Sequence, residues 1–271
     1  MMASNLRIIH ENKLNLFSIA ASSEEPLLTT NNLYSSFKSD VWRSTSTTAT
    51  LQLSSLSSTS ISCVVLAFTN LTSTSTIRVR LFQEVLGALL YDSGVTSVIP
   101  SDISSQGGVN TFSRGGGGYA VVYTPKTTCK QIVIDITDSN NPSNYIEASF
   151  IIVGDYFSPS MPVSFGGLKA GYDDSTKQNR TETGDSIIDI GSLRKCIDID
   201  LNLLTKDDMN SLWSILRKIG SASPIFISVT PDSEDKIEEY YLNIYGRISK
   251  LSMLSYSAYN QGGLPLSIEE I

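Results

Sequence analysis

The stretch Gln131-Ile132-Val133-Ile134-Asp135-Ile136 alternates: Ile132, Ile134 and Ile136 project to one side, Gln131, Val133 and Asp135 to the other. A period of two residues belongs to a β-strand with one face in a core, because successive side chains of extended backbone point to opposite faces. The same alternation recurs upstream, where Ile77, Val79 and Leu81 oppose Arg78 and Arg80, and downstream from Tyr145 to Val153. These segments are expected to be half-buried strands. Turn-forming clusters separate them: Ser104 to Gly108, Gly115 to Gly118, and Ser139 to Ser143 with Pro142. Strands at short spacing, with no helical period in residues 1–157, predict an antiparallel β-sandwich.

The chain changes character after that block. Ser158 to Asp185 carries Pro159, Pro162, Gly166, Gly167 and Gly171, then the polar stretch Asp173 to Gly184, and is read as a linker over 158–185. Ile187 to Leu204 is apolar and alternating again, with Ile197 and Ile199 against Asp198 and Asp200. Thr205 and Asp208 then have the spacing of a capping box, and Asp207 and Asp208 stand where a helix dipole favours anions. Met209, Leu212, Trp213, Leu216 and Ile219 repeat at helical spacing, and Gly220 supplies the stop, so one helix is expected over 205–219. Pro224 to Thr230, Tyr240 to Leu254 and Leu264 to Ile271 read as strands, with loops at Pro231 to Glu239 and Ser257 to Gly263. Residues 186–271 therefore predict a small β-barrel or sheet holding one helix.

Composition narrows the function. Of 271 residues, 41% are hydrophobic and only 17% charged, which suits a packed core with Ser- and Thr-rich β surfaces. A net charge of −7 argues against nucleic acid and anionic membranes as partners, since phosphate neutralisation needs clustered Lys and Arg. Asn5, Arg7, His10, Glu11 and Asn12 interrupt any secretory hydrophobic core, and the apolar run Cys63 to Phe68 is too short to span a bilayer. Cys63, Cys129 and Cys196 are odd in number and set in apolar strand patterns, as buried small hydrophobes of a reducing cytoplasm would be.

Catalytic constellations are sparse. His10 is the sole histidine, which removes histidine-based triads and multi-histidine metal sites; it reads as a surface or turn residue. Gly115 to Gly118 lacks the Lys-Ser or Lys-Thr of a phosphate loop and reads as a turn before a strand at Tyr119 to Tyr123. Asp198, Asp200 and Asn202 begin like a calcium loop, but Leu203 replaces the turn glycine and Met209 the bidentate glutamate. Asp198 and Asp200 read instead as a solvated strand face, and Asp173-Asp174 as a loop pair. The sequons at Asn70 and Asn179 mark turns. Trp42 and Arg43 form the one pairing with recognition character, a sugar or interface contact, against the commoner alternative of a buried sandwich tryptophan. No enzyme activity, cofactor or metal is expected.

Two resemblances add to this. Ser39-Asp40-Val41-Trp42-Arg43-Ser44 before a strand at Ala49 to Leu53, the apolar strand Val64 to Phe68, and an Asn-Leu turn leading to Ile77 to Leu81 resemble galactose-binding-like (discoidin-type) jelly rolls. Lys38 to Arg43, Tyr145 to Ser149, Leu212 to Arg217, Pro224 to Phe226 and Pro265 to Ile271 resemble minor tail proteins of long-tailed phages and prophages of Gram-negative bacteria. The second block looks like the tail-tube-related split barrel of distal tail proteins, although those usually carry the ring-forming barrel first. This resemblance implies a structural component of the virion's tail tip, assembled in the host cytoplasm. It would form or decorate a homo-hexameric ring joining tail tube to hub, with tail-tube, hub and tape-measure proteins as partners. Trp213 would then be an interface residue. The alternative is a carbohydrate-binding adhesion module that recognises host-envelope glycans through Trp42 and Arg43.

Overall fold

The computed structural model describes residues 5–101, 117–164, 166–250, 253–258 and 261–271. The strands are β1 (Arg7–Ile9), β2 (Ser18–Ala21), β3 (Trp42–Arg43), β4 (Thr48–Thr69), β5 (Thr76–Phe82), β6 (Leu89–Asp92), β7 (Thr96–Ser97), β8 (Gly118–Thr137) and β9 (Glu147–Gly154). There follow β10 (Leu168–Asp174), β11 (Lys177–Arg180), β12 (Ser186–Asp189), β13 (Leu193–Thr205), helix α1 (Lys206–Ile219), β14 (Ile225–Ser228), helix α2 (Lys236–Tyr241), β15 (Asn243–Lys250), β16 (Ser255–Ala258) and β17 (Gln261–Glu270). The protein is mainly β, and every strand pairing is antiparallel.

The sandwich is built around one long ribbon, β4 against β8. Its register slips between Ser54 and Thr59 and again between Ile61 and Cys63. Such bulges bend a strand and reverse which residues face inward. Before them Ala49, Leu51 and Leu53 face the core, beside Ile132, Ile134 and Ile136 of β8; after them Val64 and Leu66 do, beside Ala120 and Val122. The ribbon thus folds over itself and closes one core between its own halves. One half is flanked by β2 and β5, the other by β9.

The residues left on the far side of the second half are apolar too. Cys63, Val65, Ala67, Tyr119, Phe150 and Ile152 pack against Ile9, Phe226 and Tyr245, which belong to another sheet, ordered β1-β14-β15-β17-β13-β10. Every residue of β9 is consequently buried, where alternation had predicted a half-exposed strand. Beneath the further sheet, Ile8, Ile197, Ile199, Ile227, Ile244 and Ile268 meet Met209, Leu212, Ile215 and Ile219 of α1. The layers therefore stack as sheet, sheet, sheet, helix.

Several expectations are corrected. Residues 7–9, read with the sandwich, pair instead with β14 in the further sheet. Residues 158–185, read as a linker, contain β10, which pairs with β13, and β11, which pairs with β12; their glycines and charges suit an exposed edge. The pairing path is an open sheet with β1 and β10 at its ends, not a closed barrel. A second helix, α2, starts in the Pro231 to Glu239 segment and runs to Tyr241, into the expected strand; it is started by Asp235, whose carboxylate accepts from Ile237 N (2.9 Å) and Glu238 N (3.1 Å). Helix α1 has the expected capping box and Gly220 stop, but Ile215 faces the core while Trp213 is 60% exposed. The Ser104 to Gly108 turn and Gly115 and Gly116 lie outside the described residues. Gly117, with φ +138, stands where an added Cβ would come within 2.7 Å of the Phe68 Cα.

Candidate functional site

Between the sandwich and the further sheet lies a cleft of about 760 Å³. One wall is Tyr91, Ser93 and the Thr96–Ser101 segment, the back is Tyr119, Val121 and Tyr123 of β8, and the other wall is the 232–240 segment. The walls are braced by Arg7, whose guanidinium stacks 4.0 Å from the Tyr123 ring and 4.9 Å from Tyr156 and pairs with Asp232. An aromatic-backed guanidinium that also meets a carboxylate fixes three elements at once. Lys236 and Glu239 pair at 2.8 Å, so Glu234 and Asp235 leave the rim net acidic. Asn243 lines the back, is 4% exposed, and its Oδ1 has no hydrogen-bond partner among the described residues. A buried acceptor without a donor is costly unless something supplies one.

Under the cleft floor is a buried charged cluster. The Tyr119 hydroxyl donates to Glu270 Oε1 (2.6 Å) and accepts from Tyr245 N (3.2 Å). Lys38 Nζ reaches Glu270 Oε2 at 3.7 Å and sits 3.7 Å from the Phe68 ring centre, while Lys195 Nζ donates to the Asn243 carbonyl (3.0 Å). Burial pushes Lys195 down to about 8; Glu270 opposes the shift and Lys38 adds to it. Lys38 is lowered by burial as well, and Tyr119 is held well above its ordinary value by burial and by Glu270. Two cations and one carboxylate thus hold the sandwich to the further sheet. Its groups bond one another between the layers and serve as a pin.

The residues singled out in the sequence are not brought together. Trp42 is fully buried in the sandwich core and pairs in register with Ala148, which rules out ligand contact by its indole. Arg43 Nε donates to Glu147 Oε2 (2.7 Å), and its guanidinium lies 4.1 Å from the Tyr145 ring centre. That is an edge clamp of the strand pair. Trp213 stands exposed on the outer helix, away from the cleft lining. His10 is partly buried beside Asn210, Ser211 and Lys218, and burial, then Lys218, lowers its pKa. Asp198 and Asp200 are both exposed, as a solvated strand face requires. Cys63 and Cys129 are buried and Cys196 is partly exposed; all three are free.

The cleft itself was not legible. Its walls come from the short strands β6 and β7, from β8, and from a segment read as loop, which only the fold juxtaposes.

No family model matches the chain, and no curated protein does. Solved structures match about half of the chain at low similarity. A chitosan-binding module of a chitosanase/glucanase from Paenibacillus sp. IK-5 is 14% identical over 54% of this chain and 100% of that one, with a TM-score of 0.38. The family 32 carbohydrate-binding module of C. perfringens NanJ, solved with galactose, is 11% identical over 56% of this chain and 99% of that one, with a TM-score of 0.38. The lectin domain of lectinolysin, solved with Lewis B antigen, is 12% identical over 53% of this chain and 95% of its own, with a TM-score of 0.39. About half of this chain is covered in each case.

Proposed function

We propose that this protein is a non-catalytic recognition protein that holds a polyhydroxylated ligand, a glycan chain, in the cleft between the sandwich and the further sheet. The observation that carries the reading is the meeting of the Tyr91 ring, serine and threonine hydroxyls and the unpartnered Asn243 Oδ1 in a cleft of about 760 Å³. Ligand clefts span roughly 300 to 1,000 Å³ and set a few polar groups among apolar walls. Ring faces suit the C–H faces of a sugar, and an acceptor at depth suits its hydroxyls.

A glycan array followed by calorimetry tests this. A binder should weaken by about tenfold in Tyr91→Ala and Glu234→Gln, each of which removes one rim contact, with the circular dichroism unchanged. An array without a binder, or one whose binder ignores both substitutions and is lost on Arg43→Ala, rejects the cleft.

A second reading, an assembly component of a phage tail tip, is favoured by a separate feature. The β11–β12 hairpin leaves Ile187, Ile188 and Ile190 from 56% to 70% exposed, a surface that partner subunits would cover. Particles of several copies in negative stain are its expected mark, and a strict monomer at high concentration counts against it.

A further inference from the structure

The two ends of the further sheet are treated differently. At β1 the outer edge is closed, since Ile8 N donates to Phe157 O (2.8 Å) and Phe157 N to Ile8 O (2.8 Å). At β10 nothing comparable happens among the described residues: β10 pairs with β13 alone, and residues 169–174 are exposed. Past β10 the chain runs on into the β11–β12 hairpin, open to solvent on both faces. Open edges are templates for another strand, and a two-stranded ribbon by itself is marginally stable in water.

The sequence of β10 is complementary to itself. If two copies pair antiparallel about Gly171, Ala170 of one meets Tyr172 of the other and Lys169 meets Asp173. No atom lies within 4 Å of the position a Gly171 Cβ would take, so the sheet face is open at the centre of the match. The neighbouring strand extends the match. Within one copy, Lys169 stands opposite Asp198, and Asp173 opposite Arg194, with Arg194 Nη2 2.6 Å from Asp173 Oδ2. Across the join the row reads Asp198, Lys169, then Asp173 and Arg194 of the second copy, alternating in sign at every step. Charges on an edge strand usually repel neighbours; here a second copy meets opposite charge at each position, which stabilises the pair.

We propose that β10 is a self-pairing edge, joining two copies of this chain into one continuous sheet and laying each hairpin arm over the body of the other. The partner is a second copy because the charge row is matched by its own symmetry mate. The proposal is independent of the ligand reading.

Sedimentation of the full chain tests it. Wild-type protein should reach twice the 29.5 kDa chain mass. Lys169→Asp places Asp against Asp at both symmetric contacts, and Asp173→Lys places Lys against Lys, so each alone should weaken the dimer by about tenfold or more. An equimolar mixture of the two variants restores both contacts and should recover the dimer, which also shows that each variant folds. The idea is overturned by wild-type protein that stays monomeric up to its solubility limit. It is also overturned by an assembly, of two copies or six, whose mass is insensitive to both substitutions, or by variants that fail to recombine.

Discussion

Trp42 lies in a two-residue strand, too short for alternation to tell which way its indole points. Only the register with Ala148 and the closing of the sandwich put it inside. Its removal leaves a hole that the ribbon around it cannot fill, and large-to-small changes of this kind cost about 3–5 kcal/mol. Trp42→Ala should therefore lose that much in urea unfolding, whereas a loss below about 1 kcal/mol would mean that the indole is not packed as described. Asn70 teaches the same lesson from the polar side. Its sequon is legible, but the side chain is spent inside the fold, donating to Tyr145 O (2.9 Å) and accepting from Glu147 N (2.8 Å).

Elements were legible wherever one local rule governs them. Thr205 and Asp208 announce α1 because capping is settled within four residues. What the spacing hid was which edge of the apolar stripe is buried: Ile215 rather than Trp213, a choice made by the sheet beneath. Strand alternation was equally readable at β5, with one face in the core; in the C-terminal half of β8 it marked Ile132, Ile134 and Ile136 as core, but Gln131 and Val133 on the other face are buried as well. It misled at β9, because a strand between two cores has no solvent face. The β4–β8 ribbon was hidden by its own bulges, which break the period of two at the points where the sandwich turns. α2 was masked by Pro231, Asp232 and Ser233, turn formers that precede a helix of six residues. The α1 cap allows a graded test. Thr205→Ala should cost about 1 kcal/mol. Asp208→Ala should cost more, because its carboxylate also accepts from Ser160 N (3.2 Å) and ties the segment after the sandwich to the helix. Equal losses in thermal melts of the two variants would show that the Ser160 contact contributes nothing.

At the scale of the whole molecule, the sandwich and the further sheet are held together by aromatic packing around a polar pin, and the pin is unbalanced. Glu270 faces two lysines, Lys38 and Lys195, with Tyr119 from β8 bonded to its other oxygen; Tyr172 of β10 stands opposite Lys195 in the sheet. Lys195 is 8% exposed, so its ammonium is taken from water with little return, and its pKa falls to about 8 from an unfolded value near 10.4. Between those values the unfolded chain binds more protons than the folded one, so this group adds stability as pH rises from about 8 to about 10.4 and contributes a constant penalty below. Cys63, Cys129 and Tyr119, all raised by burial, act in the opposite direction over the alkaline range and would mask it in wild-type data alone. Comparison with Lys195→Met cancels them. The free-energy gap between the variant and wild type should move toward wild type by on the order of 3 kcal/mol from pH 7.5 to 10.5. Guanidinium unfolding at a series of pH values reads that gap, and a gap flat with pH would mean that Lys195 is solvated and that the layers are held by packing alone.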